Sequence, residues 1–335
     1  MKIGLSYDLK EAVSVGLGQP EDALEEYDSL ETVEAIVAAL EAQGHSVIRL
    51  GGGSEFLISI LREKVDLVFN IAEGLGNYRS REAQVPAILE MLHIPYSGSD
   101  PQCLAICLDK PLTKTMVELS GIRTPRWQVI SHSRELGEIA WDHFPFPAFV
   151  KPAYEGSSKG IHSGSRVEDI EQMAEVVTAL SERYQQPVMV EEFIAGDEVT
   201  VGIVGNRPPQ VLGVMRVLPK KTGAYFVYSL EVKRDWECLV DYECPAQLDT
   251  GILGEIMESS LKVFKVLGCR DFARLDFRLN SEGLPYFLEI NSLPGLNPKS
   301  SDLPIMARKM SLPYEALISA ILDSALERYP QCVRR

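Results

Sequence analysis

Two short stretches near the C-terminal end carry the densest set of groups able to do chemistry: Ala273-Arg274-Leu275-Asp276-Phe277 and Phe287-Leu288-Glu289-Ile290-Asn291. Both read as β-strands, over 272–279 and 284–290, and a strand turns successive side chains to opposite faces. Arg274, Asp276 and Arg278 then share one face, with Ala273, Leu275 and Phe277 on the other. In the second strand Glu289 and Asn291 lie opposite Leu288 and Ile290. A hairpin turning at Glu282-Gly283, where glycine suits a two-residue connection, sets Asp276 against Glu289 and Arg274 against Asn291. Carboxylates paired in this way sit roughly 5 Å apart and repel. A divalent cation removes the repulsion, and the hard oxygen donors of Asp276, Glu289 and Asn291 suit Mg2+. The plainer alternative is a solvated polar face whose acids are neutralised by Arg274 and Arg278. The Ser/Pro/Gly-rich run after Asn291 favours the metal, because such a loop leaves backbone amides free to meet an anion.

A second candidate lies at Phe149-Val150-Lys151-Pro152, which ends a strand, followed by Glu155-Gly156-Ser157-Ser158-Lys159-Gly160. Small residues let backbone amides approach phosphate oxygens, and Lys159 adds a cation there. The pattern is neither a Walker loop nor GxGxxG, and by itself it equally describes an ordinary turn. Lys151 at a strand end and Lys110 opening a helix add two cations. Glu191-Glu192-Phe193-Ile194, then Glu198, offer a strand edge with a carboxylate suited to ribose hydroxyls. Gly51–Gly53 lacks the dinucleotide fingerprint and reads as a turn. The five histidines, 45, 93, 132, 143 and 162, form no metal-binding or hydrolase spacing, and the three tryptophans read as packing residues.

The elements that must position these groups fall into two styles. In the first hundred residues short apolar strands at 2–6, 45–50 and 65–71 alternate with helices at 32–43, 54–62 and 81–92, and an acidic, glycine-rich loop spans 11–28. Strands with little polar alternation, separated by helices, predict a doubly wound parallel sheet covered on both faces. A helix is expected over 102–120, then strands at 147–151, 188–193, 198–204 and 211–217, and helices at 250–267 and 313–328. This second style is mixed α+β in two lobes. The expected division is 1–100, 101–190 and 191–335. The 335 residues carry 33 basic and 48 acidic side chains, a net charge of −15. That field repels nucleic acid and anionic membranes, so neither is expected as a partner. No apolar run reaches the length of a membrane span, and residues 1–10 turn polar too soon for a signal peptide. Six cysteines without a CxxC pair read as reduced thiols of a cytoplasmic protein, not as a disulfide or zinc framework.

Taken together, the segments IPYSGSD (94–100), LDKPLTK (108–114), FVKPAYEGSSKG (149–160), VEEFIAGDEVTV (190–201), ARLDF (273–277) and LEINSLPGLNP (288–298) resemble the ATP-grasp superfamily, and within it the D-alanine–D-alanine ligases. The resemblance covers nearly the whole chain. It implies an ATP-grasp fold of three lobes, α/β followed by α+β, with ATP clasped between the second and third. It further implies that Lys110, Lys151 and Lys233 meet the phosphates, that Glu191 to Ile194 line the adenine site, and that Glu198 holds the ribose. The loop with Glu155, Ser157 and Ser158 would close over the phosphates. Asp276, Glu289 and Asn291 would bind two Mg2+ ions (or Mn2+), and Arg274 would steady the tetrahedral intermediate. Substrates would be a small carboxylate and an amino-acid-like amine, and a homodimer is possible.

The departures from the family bear on substrate. The family's HGxxGEDG segment reads FNIAEGLGNYRSREAQ here (69–84), without its histidine. The glutamate expected before Ser29-Leu30 falls at Tyr27 or Asp28, and Arg234 stands where a catalytic tyrosine usually follows the phosphate lysine. Asp28, Glu73, Arg81, Gly295 and Ser300 are the candidate substrate residues, with Arg79 and Glu82 beside them. A carboxylate–amine ligase with an altered substrate pair is the reading; an authentic D-alanine–D-alanine ligase, a kinase and a nucleotide-binding regulator on the same fold are the alternatives.

Overall fold

In the computed structural model, which describes residues 1–13, 16, 18–221 and 225–333, the N-terminal strands are short because each is an apolar run stopped by glycine or a charge. β1 (Lys2–Ser6), β2 (Ser46–Gly51) and β3 (Leu67–Asn70) form a parallel sheet in the order β2-β1-β3. Between them run α1 (Leu30–Ala42), capped by the Ser29 hydroxyl, and α2 (Gly53–Arg62). Positions 14, 15 and 17 of the expected 11–28 loop lie outside the described residues. α3 (Gln84–Met91) is shorter than predicted, because Arg81–Ala83 coils as a 3-10 turn instead of opening the α-helix.

The helix expected over 102–120 is two, α4 (Pro101–Leu108) and α5 (Lys110–Leu119). Asp109 breaks it: its backbone leaves the helical region and its carboxylate accepts from the Leu112 amide at 3.1 Å. Pro111 then occupies the first turn of α5, where its missing N–H costs nothing. The break sets Lys110 at the head of a helix.

A four-stranded antiparallel sheet follows, from β4 (Trp127–Ile130), β5 (Ala148–Pro152), β6 (Arg166–Val167), α6 (Ile170–Tyr184) and β7 (Val188–Glu192), in the order β4-β7-β5-β6. The third sheet is five-stranded and antiparallel, built from β8 (Glu198–Val204), β9 (Gln210–Pro219), then short helices α7 (Leu230–Arg234) and α8 (Trp236–Leu239), β10 (Val240–Glu243), α9 (Thr250–Val266), β11 (Phe272–Leu279) and β12 (Pro285–Asn291). Its order is β10-β9-β8-β11-β12. α10 (Asp302–Lys309), α11 (Tyr314–Arg328) and α12 (Pro330–Val333) end the described chain.

Packing does not follow chain order. Leu317, Ile318, Ile321 and Leu322 of α11 share one core with Ile36 and Leu40 of α1 and Ile3 and Leu5 of β1. The opposite face of the parallel sheet is covered by Phe56 and Ile60 of α2 and Leu89 of α3. Both faces are thus buried, as the unbroken apolar strands predict. Cys103, Cys107 and Val117, from α4 and α5, pack in a core with Leu275, Phe287 and Ile290 of the third sheet. Among the described residues no helix is long and apolar enough to cross a membrane.

Candidate active site

The hairpin pairs as its alternation predicts: Arg274 opposes Asn291 and Asp276 opposes Glu289. Beyond that point the register slips, because a bulge sets Phe277 against Phe287. The turn is therefore longer than the two residues expected at Glu282-Gly283. Asn280 builds it, its side-chain oxygen accepting from the Glu282 and Leu284 amides at 3.0 and 2.8 Å. The bulge lies outside the reactive pairs, so the facing carboxylates are kept.

Around those carboxylates the donors are dense. Asp276 accepts from Thr200 Oγ1 at 3.0 Å, Arg274 Nη2 at 2.9 Å and Asn291 Nδ2 at 3.3 Å. Arg274 also reaches Asp302 at 3.3 Å, and Asp302 accepts from the Tyr228 hydroxyl at 3.0 Å. Glu289 meets Lys110 Nζ at 3.5 Å. Burial alone would raise the Glu289 carboxyl, but Lys110, Lys151, Lys233 and Arg274 outweigh it and hold the group at about 2. The donor set fits Mg2+ in kind: Asp276, Glu289 and Asn291 bring side-chain oxygens from neighbouring and facing positions of β11 and β12.

Glu191 sits between two lysines, 2.7 Å from Lys151 Nζ and 2.9 Å from Lys114 Nζ. All three are buried. Burial opposes the charge on Glu191, yet the lysines win and lower it. Burial likewise pushes the Lys114 ammonium down to about 8, despite Glu191. Lys114 escaped the sequence reading, although its place four residues after Lys110 on one helix face was a usable signal. A slot beside this triad is lined by Phe149, Lys151, Ser158, Glu191, Glu192, Phe193, Ile194, Glu198, Lys233, Asp276 and Glu289. Apolar rings and paired charges together suit a heterocycle with polar edges. Glu198 lies 3.1 Å from Arg278, and its carboxyl is pushed up to about 7, mainly by burial.

A larger cavity, about 410 Å3, adjoins this slot. Lys110, Ser157, Lys233, Arg234, Arg274, Asn291, Gly295 and Ser300 line it, facing Asp28, Glu73 and Glu82 from the N-terminal lobe. Ser157 and Ser158 both hold positive φ, 49° and 59°, in the left-handed region that non-glycine residues avoid. Such strain at a loop tip over a cavity is common where a ligand is clamped. At the N-terminal end, burial raises Glu73 well above the usual carboxylate range, helped by Glu82, Glu26 and Asp28. Burial also lifts Glu82 and Asp28 to about 7.

Two candidates stand elsewhere. Arg81 is 1% exposed and does not reach the cavity; it pairs with Glu26 at 2.5 Å and Glu155 at 3.1 Å and donates to the Tyr154 carbonyl. Glu155 turns its carboxylate to Arg81 and Lys159, presenting only its backbone carbonyl to Lys110. Lys159, expected to serve an anion, is neutralised by Glu26 and Glu155 in the same cluster. A buried four-charge knot thus fastens the loop root to the N-terminal lobe. Glu25 was missed: it lines the cavity and pairs with Arg234 and, at 3.9 Å, with Lys10. It sits four residues before Ser29, not the one or two at which Tyr27 and Asp28 were chosen. Tyr228 and Asp302 had no local signal. Arg79 is exposed and 3.5 Å from Asp109.

A family profile described as the D-ala D-ala ligase C-terminus matches residues 116–323. The D-alanine–D-alanine ligase of Aquifex aeolicus is 36% identical over 297 residues, covering 88% of this chain and 94% of that protein. A protein of Sinorhizobium fredii, named uncharacterized protein y4sG, is 33% identical over 307 residues and 88% of each chain. Among solved structures, the D-alanine–D-alanine ligase of Bacillus anthracis complexed with ATP matches over 99% of both chains, with a TM-score of 0.77 at 24% identity. That last likeness is one of fold.

Proposed function

Because the chain belongs to the D-alanine–D-alanine ligase family of ATP-dependent carbon–nitrogen ligases, we propose that it joins a carboxylate to an amine through an acyl phosphate, using a substrate pair other than two D-alanines. The observation that carries the departure is the Arg234–Glu25 ion pair at the large cavity, where the resembled family has a tyrosine. A fixed cation there changes which amino acid fits and how it is oriented.

In this reading ATP lies in the slot beside Phe193 and Ile194, with its phosphates toward Lys110, Lys151 and Lys233. Asp276, Glu289 and Asn291 would hold Mg2+, which when bound offsets phosphate charge and aligns the transferred group. The γ-phosphoryl bond to ADP breaks and a bond to a substrate carboxylate oxygen forms. The second substrate's amine then attacks the acyl carbon, the C–O bond to phosphate breaks, and inorganic phosphate leaves. Arg274, on the hairpin strand β11, 12% exposed in its side chain and lining the large cavity, is the donor proposed to meet the developing oxyanion. The amine must first lose a proton. Asp28 and Glu82, poised near neutral at the N-terminal end, match that task in pKa, and their charge suits an ammonium-bearing substrate. Ser157 and Ser158 belong to the loop proposed to exclude water from the acyl phosphate. For self-association, the exposed Leu57, Ile58 and Leu61 on α2 are the proposed meeting face, and Leu61→Glu should leave a monomer by sedimentation.

The test mixes the full chain with MgATP and a grid of D- and L-amino acids and small carboxylates, recording phosphate release and product mass. A new amide from a pair other than D-alanine supports the reading. Turnover with D-alanine alone would reject the altered pair. ADP with a phosphorylated acceptor and no amide identifies a kinase, and silence with ATP bound identifies a binding protein.

A further inference from the structure

We propose that Cys103, Cys107 and Cys269 form a binding site for one thiophilic divalent cation of the zinc type, distinct from the hairpin carboxylates. Cys103 and Cys107 are one turn apart on α4, with sulfurs 3.8 Å apart. Cys269 follows Gly268, whose positive φ ends α9, and its sulfur lies 3.5 Å from that of Cys103. Among the described residues this is the one group of three His, Cys, Asp or Glu whose ligand atoms all lie within 4.8 Å of one another. A tetrahedral centre with metal–sulfur bonds of about 2.3 Å needs sulfurs about 3.8 Å apart. The triangle is therefore near the required size before any ion arrives.

The two ligand-bearing elements are already tied together. Asp100 caps α4 by accepting from the Cys103 amide at 2.9 Å, and the same carboxylate accepts from Arg270, next to Cys269. The Arg270 amide donates to Ser99 Oγ at 3.1 Å. Little backbone freedom is left to lose on binding, which favours a preformed site. Ser292 Oγ is buried and stands beside Cys107, which puts an oxygen next to the triangle. Cys107 also lines the large cavity, so an ion has an entry path.

Binding breaks three S–H bonds, forms three metal–sulfur bonds and releases three protons to solvent, so uptake weakens as pH falls. The ion would clamp α4, which leads to Lys110, onto the turn that opens β11 with Arg274 and Asp276. Cd2+ alone, without nucleotide, is the probe, read by the ultraviolet thiolate-to-cadmium absorption during titration of the reduced full chain. The expected result is saturation at one ion per chain, about three protons released, and a thermal midpoint raised by about 5 °C. Cys103→Ser and Cys269→Ser should lose the band, and Cys238→Ser, at an exposed site, should keep it. If those variants misfold, X-ray absorption of the unmodified chain with Zn2+ should find three sulfur neighbours at about 2.3 Å. No thiolate band, a band surviving in both serine variants, or a zinc shell of oxygen and nitrogen alone would overturn the site and leave three thiols that merely fill a core.

Discussion

Apart from Glu198, which is raised beside Arg278, the carboxylates at the two ends of the cleft have opposite electrostatics. At the hairpin end, Glu191 is buried and Glu289 half-buried, but Lys110, Lys114, Lys151 and Lys233 surround them and both carboxyls are held below the usual range. At the N-terminal end, Glu73, Glu82 and Asp28 face the same cavity with fewer cations and are raised. Arg81 and Lys159 do lie nearby, but Glu26 and Glu155 neutralise them. Burial is common to both ends, so the count of unspent cations decides the difference. The first end has surplus positive charge, suited to phosphates. The second has surplus proton affinity, suited to receiving an ammonium and its proton.

The largest break in this comparison should come at its cationic end. Arg274→Met removes the donor proposed for the oxyanion and should lower kcat on the order of 10²–10³-fold, with a near-normal thermal midpoint as control. A loss under tenfold would take Arg274 out of the reacting centre. Next, Glu191→Gln leaves Lys114 and Lys151 facing each other in a buried place, and should lower unfolding free energy by about 3–5 kcal/mol in urea titrations. Adding Lys114→Met should restore most of it; no recovery would mean that Glu191 acts by shape rather than charge.

A smaller effect sharpens the contrast in pH. Asp28 and Glu82 keep their protons up to about pH 7 when folded, against roughly 4 when unfolded. The folded chain binds more protons between those values, so its stability falls as pH rises through that window. Glu289, held at about 2, acts in the other sense: its contribution is present above roughly pH 4.3 and is lost as pH falls toward 2. Unfolding free energies from urea titrations between pH 5 and 8 should therefore decline less in Glu82→Gln, by roughly 2–3 kcal/mol across the range. Parallel profiles would show that Glu82 does not titrate there. The smallest effect belongs to Arg234→Tyr. Its side chain is 54% exposed, so the Glu25 pair contributes under about 1 kcal/mol to stability. The change should instead appear in the ranking of amino-acid substrates by kcat/KM, and an unchanged ranking would remove Arg234 from specificity.

Legibility in the sequence followed the range of the interaction. The Asp276–Glu289 pairing was readable because alternation is a local property of strands, and the bulge fell beyond the reactive positions. The helix break at Asp109 was hidden because a capping carboxylate and Pro111 also occur inside apolar helical periodicity. Glu155 and Lys159 looked like free groups on a glycine loop; their partners Glu26 and Arg81 lie far back in the chain. Cys103 and Cys107, four residues apart, fit one helix face, but Cys269 comes 162 residues later.

The sequence by itself determined most of the longer strands and helices to within a few residues, the facing of the hairpin acids, and the family resemblance carried by short ordered segments. Each of these depends on backbone periodicity or on contiguous residues. Only the tertiary structure decided that α11 would cover the first sheet, that Lys114 would share Glu191, and which carboxylates would be ionised. A side chain's charge state depends on burial and on neighbours within a few ångströms, and those neighbours are brought together by folding across the whole chain.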